Sequence, residues 1–565
     1  MSKLIIYQML PRLFGNNNEH PQYNGRIDQN GCGKLNDITP AVLRKLKDLG
    51  TTHVWYTGLL EHATCTDYSD HGIRCDHQAV VKGKAGSPYA IKDYYDIDPD
   101  LASKPELRFQ EFKNLLKRTH QAGLGFVMDF VPNHVARQYH SDARPEGVRD
   151  LGEDDCTTQA FSPQNNFYYI PGHSLHCQFD MKGDAMQPYQ EEPARVTGND
   201  CFTASPGRND WYETIKLNYG VDYVGGRVCR FNPIPDTWHK MLHIFLFWAS
   251  QGVDAFRCDM AEMVPCEFWN WALTEVKRQY PDVLFIAEVY NPSLYREYIF
   301  KGHFDYLYDK VGLYDTLRAV TRYERPASDI SNCWKNVGDI QQYMLNFLEN
   351  HDEQRLASDF YAGNGHCGKA ALLVSACMNT NPFMIYFGQE LGERGMEQEG
   401  FSGRDGRTTI FDYWNVPTLL AWHKNGKYLK SNLPAESRSL YDFYLKVMKA
   451  ATTEAAISRG SFYDVMYANY HHAGFDPQRY YSFLRKADDE VILVVANFSR
   501  ELQQAEVVLP QHVFDFLQLP EGETEAVDLL TGKRQMLNLA GDRAVSVEME
   551  PYGGVMLKFK AGIDE

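Results

Sequence analysis

The 565-residue sequence carries 74 aspartate and glutamate residues against 57 lysine and arginine residues, which gives a net charge of -17. This balance, with no long basic run, argues against a nucleic-acid partner, because binding a phosphate backbone requires clustered positive charge. No apolar stretch is long enough for a transmembrane helix, so we expect no membrane association. The hydrophobic content of 44% is sufficient for a large core.

The N-terminus has a short apolar run without the long hydrophobic region and small-residue cleavage site of a signal peptide. The twelve cysteines are scattered without regular spacing, which is expected for reduced thiols. Both observations predict a cytoplasmic protein. Secretion by another route would be compatible with the same residues.

Eight short apolar runs end in polar or charged residues and are separated by longer segments, most of them helix-like. They are residues 4–10, 52–58, 125–131, 253–259, 283–289, 304–309, 343–351 and 382–390. Alternating strand and helix patterns are typical of parallel β-α units, and eight such units fit a closed (β/α)8 TIM barrel. The predicted fold class is therefore α/β, with the barrel formed by residues 1–134 and 226–458.

Two regions interrupt this alternation. Residues 135–225 are rich in glycine, proline, asparagine and aromatic residues and show no helical period, so we predict an inserted domain B after the third strand. In residues 459–565, apolar and polar residues alternate as in strands, with turn residues between them. This pattern predicts an antiparallel β-sandwich as the C-terminal domain.

Charged residues lie at the predicted C-terminal ends of the barrel strands, where barrel enzymes have their functional side chains. Arg257 and Asp259 end the fourth strand and share a face, Glu288 ends the fifth, Asp352 follows the seventh, and Asp129 lies in the third. Glycoside hydrolysis requires two carboxyl groups, one as acid and one as base or nucleophile, and an adjacent arginine favours the ionised form of a carboxylate. Any one of these residues alone would also fit a helix cap or a surface ion pair. The set predicts a barrel enzyme with acid-base chemistry.

Four segments resemble conserved regions of glycoside hydrolase family 13, the alpha-amylase family. They are DFVPNH (129–134), FRCD (256–259), AEV (287–289) and ENHD (349–352), and residues 87–102 and 384–390 are also similar to segments of the family. The resemblance covers the barrel, the order of its motifs and the insertion after the third strand. It implies a retaining double displacement.

The resemblance also implies a role for each matching residue. Asp259 would be the nucleophile that forms a covalent glycosyl-enzyme, Glu288 the acid and then the base, and Asp352 the group that binds sugar hydroxyls and stabilises the transition state. Residues that contact the substrate or support the nucleophile would be Tyr89, Asp129, His134, Arg257 and His351. A retaining geometry places the two reacting carboxyl groups roughly 5–5.5 Å apart.

Members of the family often use the residue that matches Asn133 as a calcium ligand, so the resemblance implies a calcium site there. Calcium takes six to eight oxygen ligands, and the sequence does not identify the others, so a hydrogen bond from Asn133 to domain B is the alternative. No organic cofactor is expected. Glu262 and Met263 replace a lysine and a histidine that many amylases carry near the acceptor subsites, which leaves the acceptor-side contacts open.

These observations predict a retaining alpha-glycoside hydrolase that cleaves alpha-1,4-glucosidic bonds in starch-like glucans or maltooligosaccharides. A transglycosylase of the same family, either a glucanotransferase or a maltosyltransferase, is the alternative, because the acceptor site decides what intercepts the intermediate. A non-catalytic carbohydrate-binding protein would require a lost catalytic carboxylate, and all three are present. The expected partner is an α-glucan or oligosaccharide, and the sequence leaves the oligomeric state open.

Overall fold

A closed barrel of eight parallel strands forms the centre of the molecule, for which a computed structural model describes residues 3–183, 185–424 and 426–561. Each strand pairs with its neighbours in chain order, and the last pairs with the first. All eight lie within the apolar runs predicted as strands. They are β1 (Ile5–Met9), β2 (His53–Tyr56), β3 (Gly125–Phe130), β4 (Ala255–Cys258), β5 (Leu284–Ala287), β6 (Tyr306–Tyr308), β7 (Met344–Phe347) and β8 (Phe383–Tyr386).

Helices cover the outside of the barrel. Those that alternate with the barrel strands or follow β8 are Pro40–Asp48, Arg108–Gln121, Asp236–Gln251, Cys266–Gln279, Tyr295–Phe300, Asp315–Thr321, Ile330–Asn336, Lys369–Cys377, Pro417–His423 and Ala435–Thr453. Shorter α-helices are Pro11–Phe14, Ile27–Asn30, Ala455–Ser458, Met466–Asn469 and Gln511–Leu517. Across the described ranges, none of the helices has both the length and the apolar character needed to cross a membrane.

Side chains of the barrel strands alternate between the helical layer and the barrel interior. In β4, Phe256 points outward and packs on Phe245 of the preceding helix, with ring centroids 5.1 Å apart. Phe130 of β3 stacks on the same ring at 3.6 Å. Because successive side chains of a strand point to opposite faces, Arg257 and Asp129 turn inward. The apolar contacts with the helices thus direct the charged residues towards the barrel axis.

The insertion after β3 is built from very short strands. They are His134–Ala136, Tyr169–Ile170, Ala194–Arg195, Thr214–Lys216, Val221–Asp222 and Val228–Cys229. The first pairs antiparallel with Thr214–Lys216, which returns the chain to the barrel rim. Half of the aromatic residues of the insertion are buried, and the other half are partly buried. The predicted domain B is therefore present after the third strand, while its boundaries at residues 135 and 225 stay predictions.

The C-terminal region is antiparallel, as predicted. A six-stranded sheet contains Ser461–Asp464, Tyr480–Ala487, Glu490–Asn497, Gly554–Lys560, Gly522–Asp528 and Arg534–Leu539, in this order, and a two-stranded sheet contains Gln503–Leu509 and Arg543–Met549. A separate short pair, Leu60–His62 with Ile91–Ile97, follows β2. The predicted fold class is thus confirmed, and the boundary at residue 459 stays a prediction. All twelve cysteines are described, and each is a free thiol.

Gly86 occupies a tight position in the segment that leads from β2 to Tyr89. Its φ is +80°, and a Cβ at this position would lie 1.7 Å from the Ala63 carbonyl oxygen. We expect Gly86→Ala to lower the free energy of unfolding by more than the roughly 1–2 kcal/mol that a left-handed backbone costs a residue with a Cβ. The reason is that backbone atoms must also move.

Gly72→Ala is the matched control, because its φ is +78° and a Cβ there would meet nothing within 4 Å. Urea denaturation of both variants measures the difference. Equal losses of unfolding free energy would contradict the steric explanation.

Candidate active site

A cavity of about 390 Å³ opens at the C-terminal ends of the barrel strands, a volume typical of small-molecule sites. Its lining includes six residues predicted from the sequence: Tyr89, His134, Asp259, Glu288, His351 and Asp352. A larger cavity of about 760 Å³ lies at the opposite end, bordered by Leu4 and Asp305, which precede β1 and β6. Chemistry in such barrels takes place at the C-terminal end, and the predicted carboxylates lie there. We therefore assign the candidate active site to the smaller cavity.

The guanidinium of Arg257 forms the centre of the site and is fully buried. Its Nη1 donates to Asp259 Oδ1 at 2.8 Å and to Asp129 Oδ1 at 3.3 Å. Its Nη2 lies 2.9 Å from Glu288 Oε2, as an ion pair without the alignment of a hydrogen bond. Its Nε donates to the Tyr308 hydroxyl at 3.0 Å. One buried cation thus joins carboxylates at the ends of three neighbouring strands.

Asp259 and Glu288 are both buried beside this cation. Burial raises the pKa of Asp259 well above its usual range, the nearby Glu288 raises it further, and Arg257 acts in the opposite direction. A carboxylate attacks only in its ionised form, and the contact with Arg257 favours that form of Asp259.

Glu288 also receives two donors that orient its carboxyl group. The backbone N–H of Met260 donates to Oε2 at 2.8 Å, and the Tyr290 hydroxyl donates to Oε1 at 2.5 Å. Met260 has a left-handed backbone with a φ of 44°, which is strained for a residue with a Cβ. Both oxygens of Glu288 are therefore held in place by the chain around them.

Asp352 projects into the cavity from the loop after β7. Its side chain is 45% exposed on the cavity side and lies 3.1 Å from His351 Nε2. Because Gln8 Nε2 donates to His351 Nδ1 at 2.9 Å, the proton of the imidazole lies on Nε2, which donates to Asp352. Burial by the surrounding protein opposes ionisation, but His351 and Arg257 outweigh it and lower the pKa of Asp352 to about 2.

Two aromatic side chains support the charged groups. Tyr89 stacks on His351 with ring centroids 5.0 Å and planes 22° apart, and its ring lies 5.6 Å from the Arg257 guanidinium. Trp55 Nε1 donates to Asp129 Oδ2 at 2.9 Å. Burial raises the pKa of Asp129, while Arg257 and His351 oppose this rise. Asp129 and Arg257 lie beneath the cavity, so they position its lining residues.

His134 lies at the start of domain B and lines the cavity beside Trp211, with ring centroids 5.2 Å apart. Burial lowers the pKa of His134 to about 3, and the charges of Lys216 and Lys82 contribute. The imidazole is therefore neutral at physiological pH. A neutral imidazole offers one donor and one acceptor for hydroxyl groups.

Asn133, the predicted calcium ligand, faces away from the cavity. Its Nδ2 donates to the Gly198 carbonyl at 2.7 Å, and its Oδ1 accepts from Lys216 Nζ at 2.8 Å. Calcium requires six to eight oxygen ligands, and an adjacent ammonium repels it. The groups around Asn133 therefore do not fit calcium, whereas they match the alternative expectation of a hydrogen bond to domain B.

Several side chains that support the site lie outside the set predicted from the sequence. Gln8, Trp55 and Tyr308 point inward from β1, β2 and β6, and Tyr290 follows Glu288 by two residues. The period-two alternation of the strands would have assigned the first three to the barrel interior. It would not have identified the groups that they contact.

Tyr308→Phe removes the partner of Arg257 Nε and leaves this N–H buried without an acceptor. We expect the free energy of unfolding to fall by about 1–3 kcal/mol, the cost of an unsatisfied buried donor, and turnover to fall because the guanidinium loses one contact. Tyr95→Phe is the control, because its hydroxyl bonds His243 at 2.8 Å outside the site. Urea denaturation measures both variants, and equal stabilities would contradict this role of Tyr308.

The amino-acid sequence is similar to those of several known enzymes. The Alpha-1,4-glucan:maltose-1-phosphate maltosyltransferase of Picrophilus torridus is 28% identical over 280 residues, which make up 48% of this chain and only 34% of that protein's length. Neopullulanase 2 of Thermoactinomyces vulgaris is 22% identical over 570 residues, covering 98% of this chain and 77% of that protein.

The crystal structure of a noncanonic maltogenic alpha-amylase from Thermotoga neapolitana has the same fold, with a TM-score of 0.61 at 19% identity over 99% of this chain and 98% of that one. The family model for the alpha amylase catalytic domain matches residues 8–479. A match of this length includes every barrel strand after β1, the last two residues of β1, and all of the candidate active site. The chain therefore belongs to the alpha-amylase family of glycoside hydrolases.

Proposed function

We propose that the protein is a retaining alpha-glycoside hydrolase that cleaves alpha-1,4-glucosidic bonds in maltooligosaccharides or starch-like glucans. The observation that carries this proposal is the Arg257 guanidinium, which contacts both Asp259 and Glu288 beneath a cavity that Asp352 also lines. Membership of the alpha-amylase family supports the same chemistry.

In the first step, Asp259 attacks the anomeric carbon of the bound sugar. Arg257 holds its Oδ1, so Oδ2 is the oxygen that forms the new bond. The bond from the anomeric carbon to the leaving oxygen breaks, and Glu288 protonates that oxygen. In the second step, Glu288 takes a proton from water, which attacks the anomeric carbon and releases Asp259.

The other lining residues would stabilise the reacting sugar. Asp352 stays ionised at neutral pH because its pKa is about 2, so it can stabilise the positive charge of an oxocarbenium-like transition state. His134 and His351 line the cavity from two sides of the barrel rim, and Tyr89 presents an aromatic ring. These groups suit a ligand with several hydroxyls and an apolar ring face.

A transglycosylase of the same family is the second candidate, and the position of Glu262 favours it. The Glu262 carboxylate accepts hydrogen bonds from the backbone N–H groups of Tyr290 and Asn291 at 3.2 and 3.0 Å. These bonds hold it against the segment that follows Glu288. The acceptor side therefore differs from that of many amylases. Three relatives bear the name Alpha-1,4-glucan:maltose-1-phosphate maltosyltransferase, which supports the same candidate. Both candidates share the covalent intermediate.

Product analysis with maltoheptaose separates the two candidates. We expect only shorter oligosaccharides, with one new reducing end for each bond that is cleaved, because water resolves the intermediate. Chromatography and a reducing-sugar assay measure both quantities. Longer oligosaccharides with few new reducing ends would instead identify a transglycosylase.

Asp259→Asn and Glu288→Gln test the mechanism. Each replaces an essential oxygen by an amide nitrogen, so we expect kcat to fall at least ~10³-fold, as for other enzymes that lose a covalent nucleophile or its proton donor. Circular dichroism should show an unchanged fold. Glu390→Gln is the control, because Glu390 is also fully buried but bonds Tyr7 away from the cavity. Full activity in either of the first two variants would exclude the mechanism.

A further inference from the structure

A buried lysine of domain B contacts the segment that follows β3. Lys216 ends the strand Thr214–Lys216 and is only 2% exposed. Its Nζ lies 2.6 Å from Asp200 Oδ1 and 2.8 Å from Asn133 Oδ1. Asp200 belongs to the insertion, whereas Asn133 lies three residues after the end of β3. The ammonium is therefore the positive charge at the junction of the two units.

A carboxylate and a side-chain amide oxygen are also the ligands that hard divalent cations use. We propose that the Lys216 ammonium takes the place of a calcium ion at this junction, so that the protein folds and remains stable without metal there. The proposal concerns the junction alone and does not depend on the reaction that the enzyme catalyses.

Strand pairing fixes the position of the ammonium. Lys216 lies directly opposite His134 in the antiparallel ladder, one residue from Asn133. Its backbone N–H also donates to the Val196 carbonyl at 2.9 Å. Because this register is held on both sides, the lysine side chain enters the junction whenever domain B is folded. A calcium ion could bind only after the side chain had moved away.

The amide of Asn133 is oriented for this cation. Its Nδ2 donates to the Gly198 carbonyl at 2.7 Å, which leaves Oδ1 facing Lys216. The ring of Tyr223 lies 5.2 Å from the ammonium and adds a cation–π contact. The single charge of Lys216 balances that of Asp200, so the pair needs no additional cation.

The junction also supports the cavity. Thr214, two residues before Lys216, and His134, opposite it, both line the candidate active site. A cation at this place therefore holds one wall of the cavity to the barrel. In this chain that cation is the Lys216 side chain, so the position of the cavity wall does not depend on the calcium concentration.

The wild-type protein provides the first test. We expect substoichiometric calcium by elemental analysis after desalting, and the same melting temperature in EGTA as in millimolar calcium chloride. One tightly bound calcium per chain that is lost in Asp200→Asn would overturn the proposal. A melting temperature that falls in EGTA and recovers with calcium in the wild-type protein, but not in Asp200→Asn, would also overturn it.

Lys216→Met provides the second test, because it keeps the length of the side chain and removes the charge. We expect a loss of several degrees in melting temperature, since Asp200 and Asn133 then lack their cation. Lys301→Met is the control, because it breaks an ion pair whose lysine is 49% exposed, and we expect it to change the melting temperature little. Equal melting temperatures for these two variants would overturn the proposal.

Two further variants keep the test informative if Lys216→Met does not fold. Lys216→Arg retains a cation, so we expect it to fold and to keep a higher melting temperature than Lys216→Met. Asp200→Asn combined with Lys216→Met should be less destabilising than the sum of the two single changes, because the charges compensate each other. Additive losses would contradict a direct pair.

Discussion

The arrangement of charges in the barrel depends on one buried guanidinium. An unpaired cation in a protein interior is strongly destabilising, so Arg257 requires negative charge within a few ångströms. Asp129, Asp259 and Glu288 supply it from three neighbouring strands, and each is held in place by the same cation. Asp259 and Glu288 therefore lie beside the same cation. The contact that stabilises the interior therefore also prepares the site for acid-base chemistry.

Barrel closure brings these groups together with little help from loops. Arg257 pairs in register with Asp129 on one side and with Ile286 on the other, and Glu288 is the next inward residue after Ile286. Rigid, paired strands thus determine the relative positions of the central charges. His351, Asp352 and Tyr290 come from segments that follow strands, which is where members of one fold differ in substrate. The strands therefore position the central charged groups, whereas the segments after the strands supply the residues that differ with substrate.

Much of this arrangement could be predicted from local sequence patterns. Each barrel strand is an apolar run of a few residues, and the β4 sequence places Arg257 and Asp259 on one face through its period of two. The supporting contacts could not be predicted in the same way. Gln8 lies 343 residues before His351, Trp55 lies 74 residues before Asp129, and no local pattern joins such pairs. Only the closed barrel brings them into contact.

The sequence by itself determined the number and order of the barrel strands, the place of the insertion and the carboxylates at the strand ends, because these depend on residues close together in the chain. The tertiary structure decided what those residues contact. Asn133 shows the difference. Its sequence context fits a metal ligand and a hydrogen-bonding group equally well, and the choice depends on Lys216, which lies 83 residues further along the chain. Strand pairing places the Lys216 ammonium beside the amide oxygen of Asn133, and only the folded chain brings the two groups together.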